Sequence, residues 1–222
     1  MIELVVLDMA GTTIDDRGAV YDALREAVEA EGVTVDAADL QRWMGTDKRV
    51  AIAALAAIGG VDADVEAGYE RFRSILRARY DADPPVPIDG VESALRRLRS
   101  EGVGVALTTG FAHDVADPLL ESIGWTVGGD VIDSVVCADE VAAGRPAPYL
   151  VFRAMEKVGA LAVGRVLVAG DTLVDLEAGT NAGAAAVVGV GTGKLSLDDL
   201  AAAPHTHLLA SLATLPELVA SL

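Results

Sequence analysis

Five short apolar runs, each bounded by polar or turn-forming residues, constrain this chain more than any other feature. Leu4-Val5-Val6-Leu7 is closed by Asp8 and the Gly11-Thr12-Thr13 loop, and similar runs recur at Val103 to Leu107, Val131 to Val136, Val166 to Ala169 and Ala184 to Val190. A run of this length without polar alternation is the pattern of a strand buried on both faces, the condition found in a parallel sheet covered by helices. Between the runs lie amphipathic stretches of helical period, such as Val91 to Arg99 and Tyr149 to Val158. Strands alternating with helices predict an α/β fold with a doubly wound parallel sheet.

Residues 16–82 interrupt that alternation. They predict four helices in succession, at Ala19 to Glu31, Asp36 to Trp43, Lys48 to Ile58 and Val65 to Tyr80. The segment Pro84-Pro85-Val86-Pro87 then reads as a stiff linker back to the sheet. The chain therefore divides into an α/β core, residues 1–15 and 83–222, and an inserted α-helical domain, residues 16–82.

Composition narrows the function classes. A net charge of −17 leaves no basic face for nucleic acid or an anionic membrane surface. An anionic substrate then needs a local positive site, such as a metal ion. Cys137 is the only cysteine, so no intramolecular disulfide forms, which suits a reducing compartment. The start, Met1-Ile2-Glu3, has no basic leader, and no stretch reaches the roughly 20 apolar residues of a membrane span. The expected setting is the cytoplasm.

Ligands of open α/β sheets bind at the carboxyl ends of the strands. Polar residues end four of the predicted strands or follow closely: Asp8, Thr109, the neighbourhood of Arg145, and Asp171 with Asp175. A single loop aspartate is usually a turn former or helix cap. Several from separate strands, converging on one edge, form a candidate site.

These residues also carry a resemblance. Asp8-Met9-Ala10-Gly11-Thr12 is similar to the first motif of the haloacid dehalogenase superfamily, and Thr108-Thr109-Gly110 to the second. Gly144-Arg145-Pro146-Ala147-Pro148 resembles the third, and Gly170-Asp171-Thr172-Leu173-Val174-Asp175 the fourth, all in the family's order. Ala10, where most family phosphatases carry a second Asp, and Arg145, where most carry Lys, narrow the likeness to the phosphonatase group. Met44-Gly45-Thr46-Asp47-Lys48 within the insert resembles that group's cap segment. The resemblance implies a helical cap over the core, Asp8 as nucleophile on phosphorus, and Thr109 and Arg145 on the phosphoryl oxygens. It further implies Mg²⁺ held by Asp8, Asp171 and the Ala10 carbonyl, with Asp175 acting through bound water, and Lys48 as the amine of a Schiff base. Hinges of the cap are expected at Asp15-Asp16 and Pro84 to Pro87.

The chemistry of the departing group agrees with these residue types. An alkoxide leaving a phosphate ester needs a proton, which a general acid at position 10 would supply and Ala10 does not. A carbon leaving group becomes tolerable when its electrons drain into an iminium, which Lys48 would provide. The chain has three lysines, Lys48, Lys157 and Lys194, among its 17 basic residues. Arginine serves where charge alone is wanted, so a lysine kept here hints at amine chemistry. Two positions depart from the phosphonatase pattern: Ala51 where that group has histidine, and Phe111 where it has tyrosine. Trp43 and Met44 are placed to desolvate the amine.

The expected activity is cleavage of the C–P bond of phosphonoacetaldehyde or a related 2-oxoalkyl phosphonate. The alternative is a phosphomonoesterase of the same superfamily, akin to phosphoglycolate phosphatase. A dehalogenase would leave the metal ligands superfluous, and a silent binding module would not need the ordered motifs. The expected partners are a small phosphorylated or phosphonate substrate and, at most, a second copy in a homodimer. His113, His205 and His207 match no part of the family pattern, and His205-Thr206-His207 reads as a late surface loop. Gly189-Val190-Gly191-Thr192-Gly193-Lys194 lacks the spacing of a nucleotide-binding loop and is set aside as one.

Overall fold

In the computed structural model, which describes residues 1–222, the first apolar run becomes β1 (Leu4–Asp8), buried along its whole length. After β2 (Ile14–Asp15) come α1 (Ala19–Glu29), α2 (Ala37–Trp43), α3 (Lys48–Ile58) and α4 (Val65–Ala82). The chain returns through β3 (Val86–Pro87), α5 (Val91–Ser100), β4 (Gly104–Thr108), α6 (His113–Ser122) and β5 (Ser134–Val136). It continues as α7 (Tyr149–Val158), β6 (Val166–Gly170), α8 (Leu173–Ala182), β7 (Ala186–Val190), α9 (Leu197–Leu200), β8 (His207–Leu209) and α10 (Leu215–Ser221).

Six strands form one sheet in the order β5-β4-β1-β6-β7-β8. Every neighbouring pair is parallel. Alternating side chains point to opposite faces. Leu4 and Val6 join Ala106, Val136, Val166 and Val168 beneath Leu150, Val151 and Ala154 of α7. Val5 and Leu7 face the other way, against Leu95 and Leu98 of α5, Leu119 and Leu120 of α6, and Leu215 of α10. Each buried Val or Leu contributes about 1.5–3 kcal/mol, so a charge at any of these positions would undo a local share of the core. Successive strands are added on one side of β1 up to β5 and on the other side from β6, and that switch point between β1 and β6 opens the crevice in which ligands of such sheets bind.

Asp36, Asp47 and Asp64 each cap a helix of the insert, accepting from the backbone N–H of Ala38, Val50 and Ala67. Such caps contribute about 1 kcal/mol each and set the register of α2, α3 and α4. Leu24, Ile52, Phe72 and Leu76 of the insert belong to the same apolar cluster as Val5 and Leu7. Tyr69 of α4 donates to Asp114 Oδ1 of α6 at 2.8 Å, and Arg73 lies 3.2 Å from Asp114 Oδ2. Residues 16–82 are thus also tied to the core at the start of α6.

Four local expectations give way. The proline-rich linker is partly a strand: Val86–Pro87 pairs antiparallel with Ile14–Asp15, and Ile88 N donates to Thr13 O at 3.1 Å. A two-strand ribbon has free edges, so the missing N–H of Pro87 is tolerated there. The run from Val131 joins the sheet only at Ser134, because Asp133 turns aside and its Oδ2 accepts from Val105 N at 2.8 Å. Arg145 does not follow a strand end; it lies in the long connection between β5 and α7. The segment around His205 and His207 is not a plain loop, since His207–Leu209 pairs with Val188–Val190 as the edge strand. Its apolar signal is two leucines long, too short to distinguish a strand by pattern.

Candidate active site

Asp8 ends β1 and Asp171 directly follows β6, so the switch point sets two carboxylates side by side. A third comes from α8. Thr172 and Asp175 form a capping box at its start, with Asp175 Oδ2 accepting from Thr172 N at 3.1 Å. This leaves Asp175 Oδ1 aimed across the crevice, 2.8 Å from Arg145 Nη1. One oxygen of Asp175 thus caps α8, while the other pairs with Arg145 beside Asp8. Ligand oxygens of Asp8, Asp171 and Asp175 lie within 4.8 Å of one another, all three residues being buried.

Arg145 ties the site together. Nη1 donates to Asp8 Oδ1 at 2.6 Å and to the Gly45 carbonyl of the insert at 3.2 Å, while Nη2 donates to Thr108 Oγ1 at 2.8 Å. The planar fork spans several acceptors at once, which an ammonium would not do. Asp171 has no basic partner and accepts from Thr12 Oγ1 at 2.8 Å. Thr109 is buried, but its Oγ1 accepts only from Phe111 N, at 3.1 Å, and it makes no hydrogen bond to Arg145 or to the three aspartates.

Glycines bring backbone close to these groups. A Cβ on Gly11 would stand 2.6 Å from Asp171 Oδ2, and one on Gly193 would stand 1.9 Å from the same oxygen. The loop after β7, set aside above as a nucleotide loop, is therefore a wall of this site, and Thr192 Oγ1 donates to Gly11 O at 2.6 Å. Thr12, Thr108 and Gly193 carried no assigned role in the sequence reading. A Gly-rich segment directly after a strand was the available signal for Gly193.

Lys48 opens α3 and is 3% exposed. The segment before it is seated tightly: a Cβ on Gly45 would lie 2.6 Å from Thr172 Oγ1, and one on Gly110 would lie 2.2 Å from the Thr46 carbonyl. Lys48 Nζ donates to Thr46 O at 3.0 Å and stands 5.5 Å from the centre of the Phe111 ring. Met44 and Ala51 are buried beside it in the sequence, while Trp43 is half-buried.

The electrostatics follow from burial. Desolvation pushes the Asp8 carboxyl up to about 6, with Arg145 opposing. Asp171 is held well above the usual carboxylate range by burial and by its carboxylate neighbours Asp8 and Asp175. Burial lowers the Lys48 amine to about 8; the negative charge of Asp8 opposes that, and Arg145 reinforces it. Three buried carboxyls facing one guanidinium leave an excess of negative charge. A hard divalent cation among oxygen donors would offset it, and the Gly11 and Gly193 cradle leaves backbone rather than side chain against Asp171 Oδ2, so the residues fit a Mg²⁺ ion.

A haloacid dehalogenase-like hydrolase profile matches residues 2–183. A phosphonoacetaldehyde hydrolase from Bacillus cereus is 30% identical over 199 residues, covering 82% of this chain and 73% of the relative. Among solved structures, a phosphonoacetaldehyde hydrolase-like protein from Oleispira antarctica superposes with a TM-score of 0.82 at 25% identity, over 99% of this chain and 92% of that one. A β-phosphoglucomutase from Clostridium difficile superposes with a TM-score of 0.83 over 100% and 96% of the two chains, but at 18% identity that likeness is one of fold alone. No helix is long and apolar enough to cross a membrane. On the profile match and the identity over most of both chains, this protein belongs to the haloacid dehalogenase-like hydrolase family and is a hydrolase.

Proposed function

We propose that this hydrolase cleaves the C–P bond of phosphonoacetaldehyde or a related 2-oxoalkyl phosphonate, with the insert of residues 16–82 acting as the cap of the site. The observation that carries the reading is Lys48, a buried amine lowered to about 8, whose preceding segment meets the core at two points: Arg145, which holds Asp8, donates to the Gly45 carbonyl, and Gly110 lies against the Thr46 carbonyl. A lysine must lose its proton to attack a carbonyl, and burial is what allows that near neutral pH.

The steps then assign each residue. The neutral Lys48 amine adds to the aldehyde carbon, and the carbinolamine takes up one proton from solvent and loses water to leave a protonated imine. Asp8 attacks phosphorus as the C–P bond breaks, and the bonding electrons move toward the iminium nitrogen to give a neutral enamine. The enamine takes a proton on carbon, and water releases the aldehyde and frees Lys48. A second water hydrolyses the aspartyl phosphate, restoring Asp8. Arg145 and the Thr109 hydroxyl bind phosphoryl oxygens throughout. Asp8, Asp171 and the Ala10 carbonyl, with Asp175 through water, would hold Mg²⁺, which supplies charge neutralisation for the phosphoryl group. Ala10 offers no proton to an alkoxide, which favours this route over ester hydrolysis.

Borohydride trapping tests the reading. The full chain is incubated with phosphonoacetaldehyde and borohydride, and the modified peptide is identified by mass. The expected adduct is on Lys48 and is absent from Lys48→Ala. No adduct, together with brisk phosphate release from p-nitrophenyl phosphate, would replace this reading with the phosphomonoesterase.

A further inference from the structure

A second group of metal-ligating side chains lies outside the aspartate cluster. His113 begins α6, directly beyond the Thr109–Ala112 loop, while Cys137 and Glu140 follow β5. One ligand atom from each of the three lies within 4.8 Å of the other two. The segments are joined by backbone, Ala138 N donating to Phe111 O at 2.8 Å.

We infer that His113, Cys137 and Glu140 form a zinc site that ties the loop carrying Phe111 to the segment after β5. Three donor types, imidazole nitrogen, thiolate sulfur and carboxylate oxygen, suit a borderline-soft divalent ion and do not suit Mg²⁺. The geometry around them has the form of a supported ligand set. His113 Nδ1 lies 3.0 Å from Asp117 Oδ1, which points Nε2 toward Glu140 Oε1 at 3.1 Å. A carboxylate on the far nitrogen is what orients a ligating imidazole. Glu140 is itself held: Oε1 accepts from Cys137 N at 3.0 Å and from Lys157 Nζ at 2.9 Å, and Oε2 lies 2.6 Å from the same ammonium. Lys157 spans both oxygens, so Oε1 gives up its share of the ammonium on turning to the ion while Oε2 keeps the shorter contact.

Bond lengths of about 2.0–2.3 Å place tetrahedral ligand atoms about 3.3–3.8 Å apart; His113 Nε2 and Glu140 Oε1, at 3.1 Å, already lie near that spacing, and the Cys137 sulfur, within 4.8 Å of both, needs only a small side-chain adjustment to reach it. The His113 side chain, 40% exposed, has the freedom to adjust as well and gives the ion access from solvent. Cys137 is fully buried, and binding releases its thiol proton, since only the thiolate ligates. Water takes the fourth position. The consequence reaches the proposed active site, because Phe111 packs against Lys48.

Cobalt(II) is the probe, since its thiolate complexes show a charge-transfer band and this chain has one cysteine. The metal-stripped full chain is titrated with Co²⁺, in the natural form and in Asp171→Asn, which removes a ligand from the aspartate cluster. The expected band saturates at one equivalent in both and is displaced by Zn²⁺. It is weakened at least about tenfold in His113→Ala and in Asp117→Asn, and lost in Cys137→Ser. Absence of a thiolate band at saturating cobalt overturns the site. So does a band whose midpoint is unmoved in His113→Ala, which would mean a thiol binding cobalt alone. His113 and Asp117 are partly exposed, so those two variants decide the matter even if Cys137→Ser fails to fold.

Discussion

Replacing Lys48 by methionine should stabilise the fold at neutral pH while abolishing imine formation. The folded protein lowers the amine from its ordinary 10.5 to about 8. At 1.36 kcal/mol per pH unit, that gap amounts to about 3 kcal/mol. Below pH 8 the lysine is charged in both states, and the folded state carries the full penalty of burying it. Between 8 and 10.5 the unfolded chain binds a proton that the folded chain does not, so natural stability climbs with pH across that window. The Lys48→Met variant would have no such climb. The substitution also strips the Thr46 carbonyl of its donor, at about 1 kcal/mol. The net expectation at pH 7 is a gain of about 2 kcal/mol, shrinking to nothing or reversing by pH 10. Paired urea denaturations at pH 7 and pH 10 measure it, the variant difference cancelling other groups that titrate in that range. A variant less stable than the natural chain at pH 7, or a difference that does not change with pH, would refute the claim that Lys48 is a desolvated amine.

Four further outcomes are expected. Borohydride-trapped adduct formed in a single turnover should rise about tenfold per pH unit below about 8 and level off above it, because loss of the Lys48 proton creates the nucleophile. Arg145→Lys keeps the charge but loses the fork that joins Asp8, Gly45 and Thr108, and kcat/KM should fall by about 100-fold or more in a steady-state assay. Gly193→Ala places a Cβ 1.9 Å from Asp171 Oδ2, and a magnesium titration of activity should show a half-saturation raised at least about tenfold. Ala10→Asp should raise p-nitrophenyl phosphate hydrolysis by about 100-fold, the usual contribution of a general acid, without a matching gain on the phosphonate.

Much of the sheet was legible because burial on both faces leaves a plain mark. Leu4 to Leu7 and Val166 to Ala169 are apolar without interruption, and no amphipathic helix reads that way. α3 and α7 were legible to the residue, one opened by an Asp cap at Asp47 and the other closed by Gly159 in the left-handed conformation. β8 and the β2–β3 ribbon were not, because two or three residues carry too little pattern to separate strand from loop. Asp8, Asp171 and Asp175 stood out because strand ends in a parallel sheet gather at one edge, a matter of topology that the order of runs already implies.

Partners across that edge were a different matter. That one guanidinium would link Asp8, Asp175, Thr108 and the Gly45 carbonyl depends on a long connection between β5 and α7 whose only regular piece is a 3-10 turn at Ala138–Glu140, and local propensity does not determine its path. That Gly193 would press on Asp171, or that Lys48 would sit 3% exposed, required the sheet and the insert to be packed together. Residue types and their order determined which chemistry was available, since an aspartate, a lysine and an arginine bring their functional groups wherever they are placed. Only the tertiary structure decided how many of those groups share one desolvated space, because burial and proximity are properties of packing across the whole chain, and they are what moves a lysine from solvent cation to candidate nucleophile.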